Sequence, residues 1–76
     1  MDRNLLIKAT WDSDAKVWVA ESEDVPGLVT EAGNMEKLIN KLKTLIPELL
    51  ELNNGINSGD TIPFSLTSEY TDVIHG

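Results

Sequence analysis

The sequence predicts a small α+β domain: an antiparallel β-meander, one long amphipathic helix and a C-terminal strand, in the order β-β-β-α-β. Three observations carry this. Two segments near the start, residues 5–11 and 17–21, alternate with the two-residue period of half-buried strands. Val25-Pro26-Gly27 then reads as a turn leading to a short third strand, Leu28 to Thr30. From Met35 to Leu52 the apolar residues recur with helical spacing and fill one side of the wheel.

Residues 5–11 set Leu5, Ile7, Ala9 and Trp11 against Leu6, Lys8 and Thr10, and residues 17–21 set Val17 and Val19 against Trp18 and Ala20. Asp12-Ser13-Asp14-Ala15 between them is turn chemistry, because Asp and Ser side chains bond their own backbone. Pairing Trp11 with Val17 and Ala9 with Val19 collects Leu5, Ile7, Ala9, Trp11, Val17 and Val19 on one face. That register is expected, since a slip of one residue inverts a strand's whole apolar set. The other face then carries Leu6, Lys8, Thr10, Trp18, Ala20 and Ser22. A large aromatic there suggests a subunit contact through Trp18, Ala20 and Leu6, the alternative being an indole lying over Lys8 and Thr10 in solvent.

Pro26 fixes its φ near the value that the second position of a β-turn needs, and Gly27 supplies the positive φ of a type II turn. Gly33 ends the extended run, and Asn34 is placed to cap the free N–H groups of the helix. The helix stripe comprises Met35, Leu38, Ile39, Leu42, Leu45, Ile46, Leu49, Leu50 and Leu52, within about 160° of the wheel. Pro47 falls within the helix, on its polar face. A mid-helix proline costs about 3 kcal/mol and one hydrogen bond, but the apolar phase is unbroken from Leu45-Ile46 to Leu49-Leu50. One helix is expected, because breaking it would leave Ile46 as a poor N-cap.

Asn53-Asn54-Gly55 is a helix stop, in which Asn or Gly can take the left-handed conformation, and Ile56 to Asp60 is a loop. Thr61 to Leu66 reads as a final strand with Ile62, Phe64 and Leu66 inward, and Pro63 marks it as an edge. The ordered core is expected over about residues 4–66. Residues 67–76 form a polar tail whose Tyr70, Val73 and Ile74 could pack on the sheet or on a neighbouring subunit.

Thirteen acidic against six basic residues give a net charge of −7, a field that repels phosphate backbones and anionic membranes and favours basic partners. No basic stripe interleaves with aromatics, so direct nucleic-acid binding is not expected. Without cysteine, no disulfide or thiolate metal site can reinforce the core. The chain opens with Met1-Asp2-Arg3 and no apolar leader, and it has no run long enough to span a bilayer, so a cytoplasmic protein is expected. The one histidine, His75, is next to the C-terminus, and Asp12-x-Asp14 lacks the rest of a calcium loop. With no nucleophile–base set and no carboxylate pair forced together, neither an enzyme nor a cofactor or metal site is expected.

The stretch from Trp18 to Gly33, with Val19, Asp24-Val25-Pro26-Gly27, Thr30-Glu31 and Gly33 in order, resembles the HicB-like antitoxin family. LIPELLE at Leu45 to Glu51 looks like a short stand-alone relative of that family's N-terminal domain. The resemblance implies the same β-β-β-α-β order. It also implies a protein-binding module that covers a small basic HicA-type ribonuclease toxin. Full HicB antitoxins add a C-terminal DNA-binding domain, a role not expected of a chain with so little sequence after its fourth strand. The acidic rim of Glu21, Glu23, Asp24 and Glu31 would steer association with a basic surface. The second expectation is a homo-oligomeric interaction domain with no toxin partner.

Overall fold

The computed structural model describes residues 4–53 and 61–76. Its elements are β1 (Leu5–Asp12), β2 (Val17–Glu21), β3 (Val29–Ala32), α1 (Met35–Leu52) and β4 (Phe64–Glu69), the expected β-β-β-α-β order. They form one four-stranded sheet of order β3-β2-β1-β4. β1, β2 and β3 are an antiparallel meander, while β4 runs parallel to β1, so the sheet is mixed. A parallel fourth strand requires the chain to return across the sheet, and α1 makes that crossover between β3 and β4.

The first hairpin differs from the expected register by one residue. Trp11 pairs with Trp18, Ala9 with Ala20 and Asp12 with Val17. Trp18 and Ala20 therefore lie on the inner face beside Leu5, Ile7, Ala9 and Trp11, and Val17 and Val19 lie outside. The proposed self-association patch of Trp18, Ala20 and Leu6 is thus split between two faces, with Leu6 alone facing out. The cause is Asp12. Its Oδ1 accepts the N–H groups of Asp14 and Ala15, and its carbonyl accepts the N–H of Lys16 at 2.7 Å. These bonds close a loop of Ser13 to Lys16 and carry β1 one residue further, with Lys16 taking the left-handed turn at φ 57°.

The core has a simple complementarity. Ala9, Ala20 and Ala32 leave shallow places on the sheet, and Leu38, Leu42, Ile46 and Leu50 of α1 are buried against the inner layer. Met35, Leu45 and Leu49 pack half-buried beside them, whereas Leu52 is 80 % exposed and lies outside the stripe predicted to include it. Pro47 sits within one continuous helix, half-buried rather than on the polar side. Asn34 caps that helix as expected, its side chain accepting the N–H of Lys37 at 2.8 Å.

The Pro26-Gly27 turn also holds. Leu28 N–H reaches the carbonyl of Val25 at 3.1 Å, and Gly27 has φ 85°. Val25 and Leu28 are both buried, and β3 begins only after them and runs to Ala32 rather than Thr30. Gly33 follows the end of β3, with open space where a Cβ would sit. Asn53 closes α1 with φ −100° instead of a left-handed conformation, its Nδ2 donating to the Leu49 carbonyl at 2.8 Å. The remainder of the predicted stop, Asn54-Gly55, and the loop Ile56 to Asp60 lie outside the described residues.

β4 starts and ends three residues later than predicted, because β1 offers partners as far as Thr10. Thr67, Ser68 and Glu69 pair with Lys8, Ala9 and Thr10, so the first residues of the supposed tail are strand. Phe64 and Leu66 face the core as expected. Tyr70 packs on the sheet, 5.9 Å from Trp11 and 6.2 Å from Trp18 between ring centroids, while Trp11 and Trp18 stand 5.3 Å apart. Val73 and Ile74 remain exposed.

Candidate functional site

With α1 on one side only, the sheet has a bare outer face among the described residues. Alternation from the observed registers places Leu6 and Lys8 of β1, Val17, Val19 and Glu21 of β2, and Val29 and Glu31 of β3 on it. Leu6 and Val29 are 61 % and 71 % exposed, and on this face they are the large apolar residues open to solvent among the described residues.

At the end of this face nearest the Pro-Gly turn the strands diverge. After Glu21 the chain leaves β2, and the next backbone partner of Leu6 is missing. Two side chains replace it. Ser22 Oγ donates to the Leu6 carbonyl at 2.6 Å, and Asp24 Oδ2 accepts the Leu6 N–H at 2.8 Å. Ser22 Oγ also accepts the N–H of Asp24 at 3.0 Å. The ladder is thereby completed without a strand, and the chain is freed to turn at Val25. That divergence opens a groove of about 650 Å³ with Leu6, Val29 and Leu28 among its apolar lining and Glu21, Glu23 and Lys8 among its charged lining.

Of the four predicted rim carboxylates, the groove gathers Glu21, Glu23 and Asp24. Glu31 is on the same face but further along, opposite Val19, and is not part of the lining. Asp24 carries a structural duty as well, since its carboxylate is committed to Leu6. The outward valines and the Ser22–Asp24 clasp follow from the observed register and have no counterpart in the expected one. An Asp two residues after a Ser, at the point where a strand must end, is the available sequence signal for such a clasp.

A second cluster lies at the opposite end of the sheet. Tyr70 donates its hydroxyl to Asp72 Oδ2 at 2.9 Å, and Asp72 Oδ1 accepts the Val73 N–H at 2.8 Å. The Val73 N–H, and after it the Tyr70 hydroxyl, hold the Asp72 carboxyl below the ordinary carboxylate range, while the same hydrogen bond pushes the Tyr70 phenol up. Among the described residues no three potential metal-ligating side chains come together, and no helix is long and apolar enough to cross a membrane.

Among the described residues, fold and surface together define an α+β domain with one helix and an uncovered sheet face ending in an acid-rimmed groove. The chain belongs to the DUF1902 family, a domain of unknown function whose model matches residues 4–74. It is also similar to a hypothetical protein of the extremely thermophilic bacterium Thermus thermophilus, known from its crystal structure. The two are 46 % identical with a TM-score of 0.72, over 97 % of this chain and 100 % of the other. Comparison with curated proteins gives no match. Neither the family's nor the relative's description names a reaction or a partner.

Proposed function

We propose that this domain is a cytoplasmic, non-catalytic protein-binding module of the HicB antitoxin kind, which covers and neutralises a small basic ribonuclease of the HicA type. The observation that carries the reading is the groove on the bare face. Leu6 and Val29 offer apolar contact between the carboxylates of Glu21 and Glu23, the surface chemistry that suits a partner with long basic side chains. The net charge of −7 speeds encounter with such a partner and disfavours RNA, the partner's own substrate. The resemblance of Trp18 to Gly33 to HicB-like antitoxins supplies the identity of the partner.

The test is inhibition of RNA cleavage by a purified HicA-type ribonuclease from the same organism. The parent domain is expected to inhibit at one equivalent. Reversing Glu21 and Glu23 together to Lys is expected to weaken binding at least about tenfold at low salt and to flatten its salt dependence. Asp24 is left intact, because its reversal would break the bond to Leu6 and confuse folding with binding. Absence of inhibition by the parent domain would overturn the reading. A homo-oligomeric domain with no toxin partner is the second reading. It is favoured by one observation, an edge of β4 that no other described residue guards.

A further inference from the structure

The two outer strands of the sheet differ in how their free backbone is protected. In β3, Thr30 and Ala32 pair with Ala20 and Trp18, so the N–H and C=O groups of Val29 and Glu31 point away from the sheet. Lys41 closes that edge. Its ammonium reaches across from α1 and donates to the Glu31 carbonyl at 2.6 Å, one of the usual ways in which a lysine blunts a strand edge.

β4 has no such guard among the described residues. Leu5 N–H donates to the carbonyl of Pro63 at 3.0 Å, and Leu5 is in register with Phe64. Backbone groups alternate sides along a strand, so Ser65 and Thr67 serve β1 while Phe64, Leu66 and Ser68 direct theirs outward. The proline that would have blocked pairing lies before the strand, on the β1 side. The helix also leaves this margin thinly covered, because α1 rests on β3 and β2. Beside β4 only a shallow hollow of about 190 Å³ separates Leu42, Ile46 and Pro47 from Ile62 and Phe64.

We infer that the outer edge of β4 is the seam of a homodimer, in which two copies pair antiparallel about a two-fold axis through Leu66 to make one eight-stranded sheet. The edge is complementary to itself in that register. Leu66 meets Leu66 of the second copy, Phe64 meets Ser68 and Ser65 meets Thr67, with no like charges opposed. Glu69, the strand's only charge, falls opposite Pro63 and is already near Lys8, 3.8 Å away. Each outward-facing pair exchanges two backbone hydrogen bonds, about six in all. The half-buried Phe64 and Leu66 of both copies would come together on the helix side, between the two α1 helices. Past the strand, Tyr70 comes opposite Ile62 of the second copy, so the exposed Val73 and Ile74 are led along the partner instead of into solvent. An edge seam of this size is smaller than a standard lasting interface, so a dimer with a dissociation constant of roughly tens of micromolar is expected.

Sedimentation equilibrium of the full chain from about 1 µM to about 500 µM tests this, a span that brackets the expected midpoint. The parent is expected to pass from one chain mass to two. Ser68→Pro deletes an N–H that points only at the free edge and keeps the β1 ladder, so circular dichroism should be unchanged while the dissociation constant rises at least about tenfold. The chain's lack of cysteine permits a second, independent readout. Directly opposed residues that exchange hydrogen bonds have Cα atoms about 5.5 Å apart, within disulfide reach. Leu66→Cys should therefore cross-link to itself with oxidised glutathione, and Val29→Cys on the guarded edge should not. A single-chain mass throughout, a folded Ser68→Pro that dimerises like the parent, or equal cross-linking of the two cysteine variants would overturn the seam. None of these outcomes depends on whether a ribonuclease binds the opposite face.

Discussion

Beneath α1 the central strands carry Ala9 and Ala20, both 0 % exposed, whereas the bare face of the same strands carries Leu6, Val17 and Val19. Hydrophobicity alone picks the inner face of β1, with Leu5, Ile7 and Trp11 set against Lys8 and Thr10, but on β2 it does not separate Val17 and Val19 from Trp18 and Ala20. The difference teaches that the inner face of a one-helix sheet is chosen by fit. A helix that brings Leu38, Leu42 and Ile46 needs shallow ground beneath it, and alanines provide that ground. The bulkier inner residues Leu5 and Ile7 are also fully buried in this core, and Trp11 and Trp18 stack against each other beside it. The valines are then left on a surface that has chemistry to spare for a partner.

The contrast can be broken most sharply from the helix side. Leu42→Ala is expected to cost about 2–5 kcal/mol in urea unfolding, because the residue is wholly buried and its removal leaves a cavity in the close-packed core. Next in size is Ala20→Leu, which adds bulk where there is no room and is expected to cost about 1–3 kcal/mol by the same measurement. If Ala20→Leu instead stabilised the protein, the fit argument would be wrong. The smallest effect belongs to the bare face. Val29→Thr keeps the β-branched shape on an exposed position and should change stability by no more than about 0.5 kcal/mol.

Much of this architecture was legible in the sequence because it rests on local chemistry. Pro26-Gly27 specifies its turn, Asn34 its cap, and the phase of Leu38, Leu42, Ile46 and Leu50 carries one helix through Pro47. The face of β2 was not legible, since alternation reads equally well in either register and a one-residue choice in the Asp12 loop decides it. The end of β4 escaped for a related reason. Ser68 and Glu69 look like a polar tail until the length of β1 is known. At the groove, the side of Glu21 follows from the hairpin register, while the clasp of Asp24 on Leu6 spans residues far apart in the chain and appears only once the strands are assembled.

The meeting of Trp11, Trp18 and Tyr70 has a practical consequence. The sequence contains two tryptophans and one tyrosine, and both indoles and the phenol occupy a single corner. Intrinsic emission is therefore a local gauge of that corner. An optical melt would follow the departure of the C-terminal segment from the indoles while staying blind to events at Leu6 or Val25, and only an isotope-labelled or scattering measurement would register the distant end.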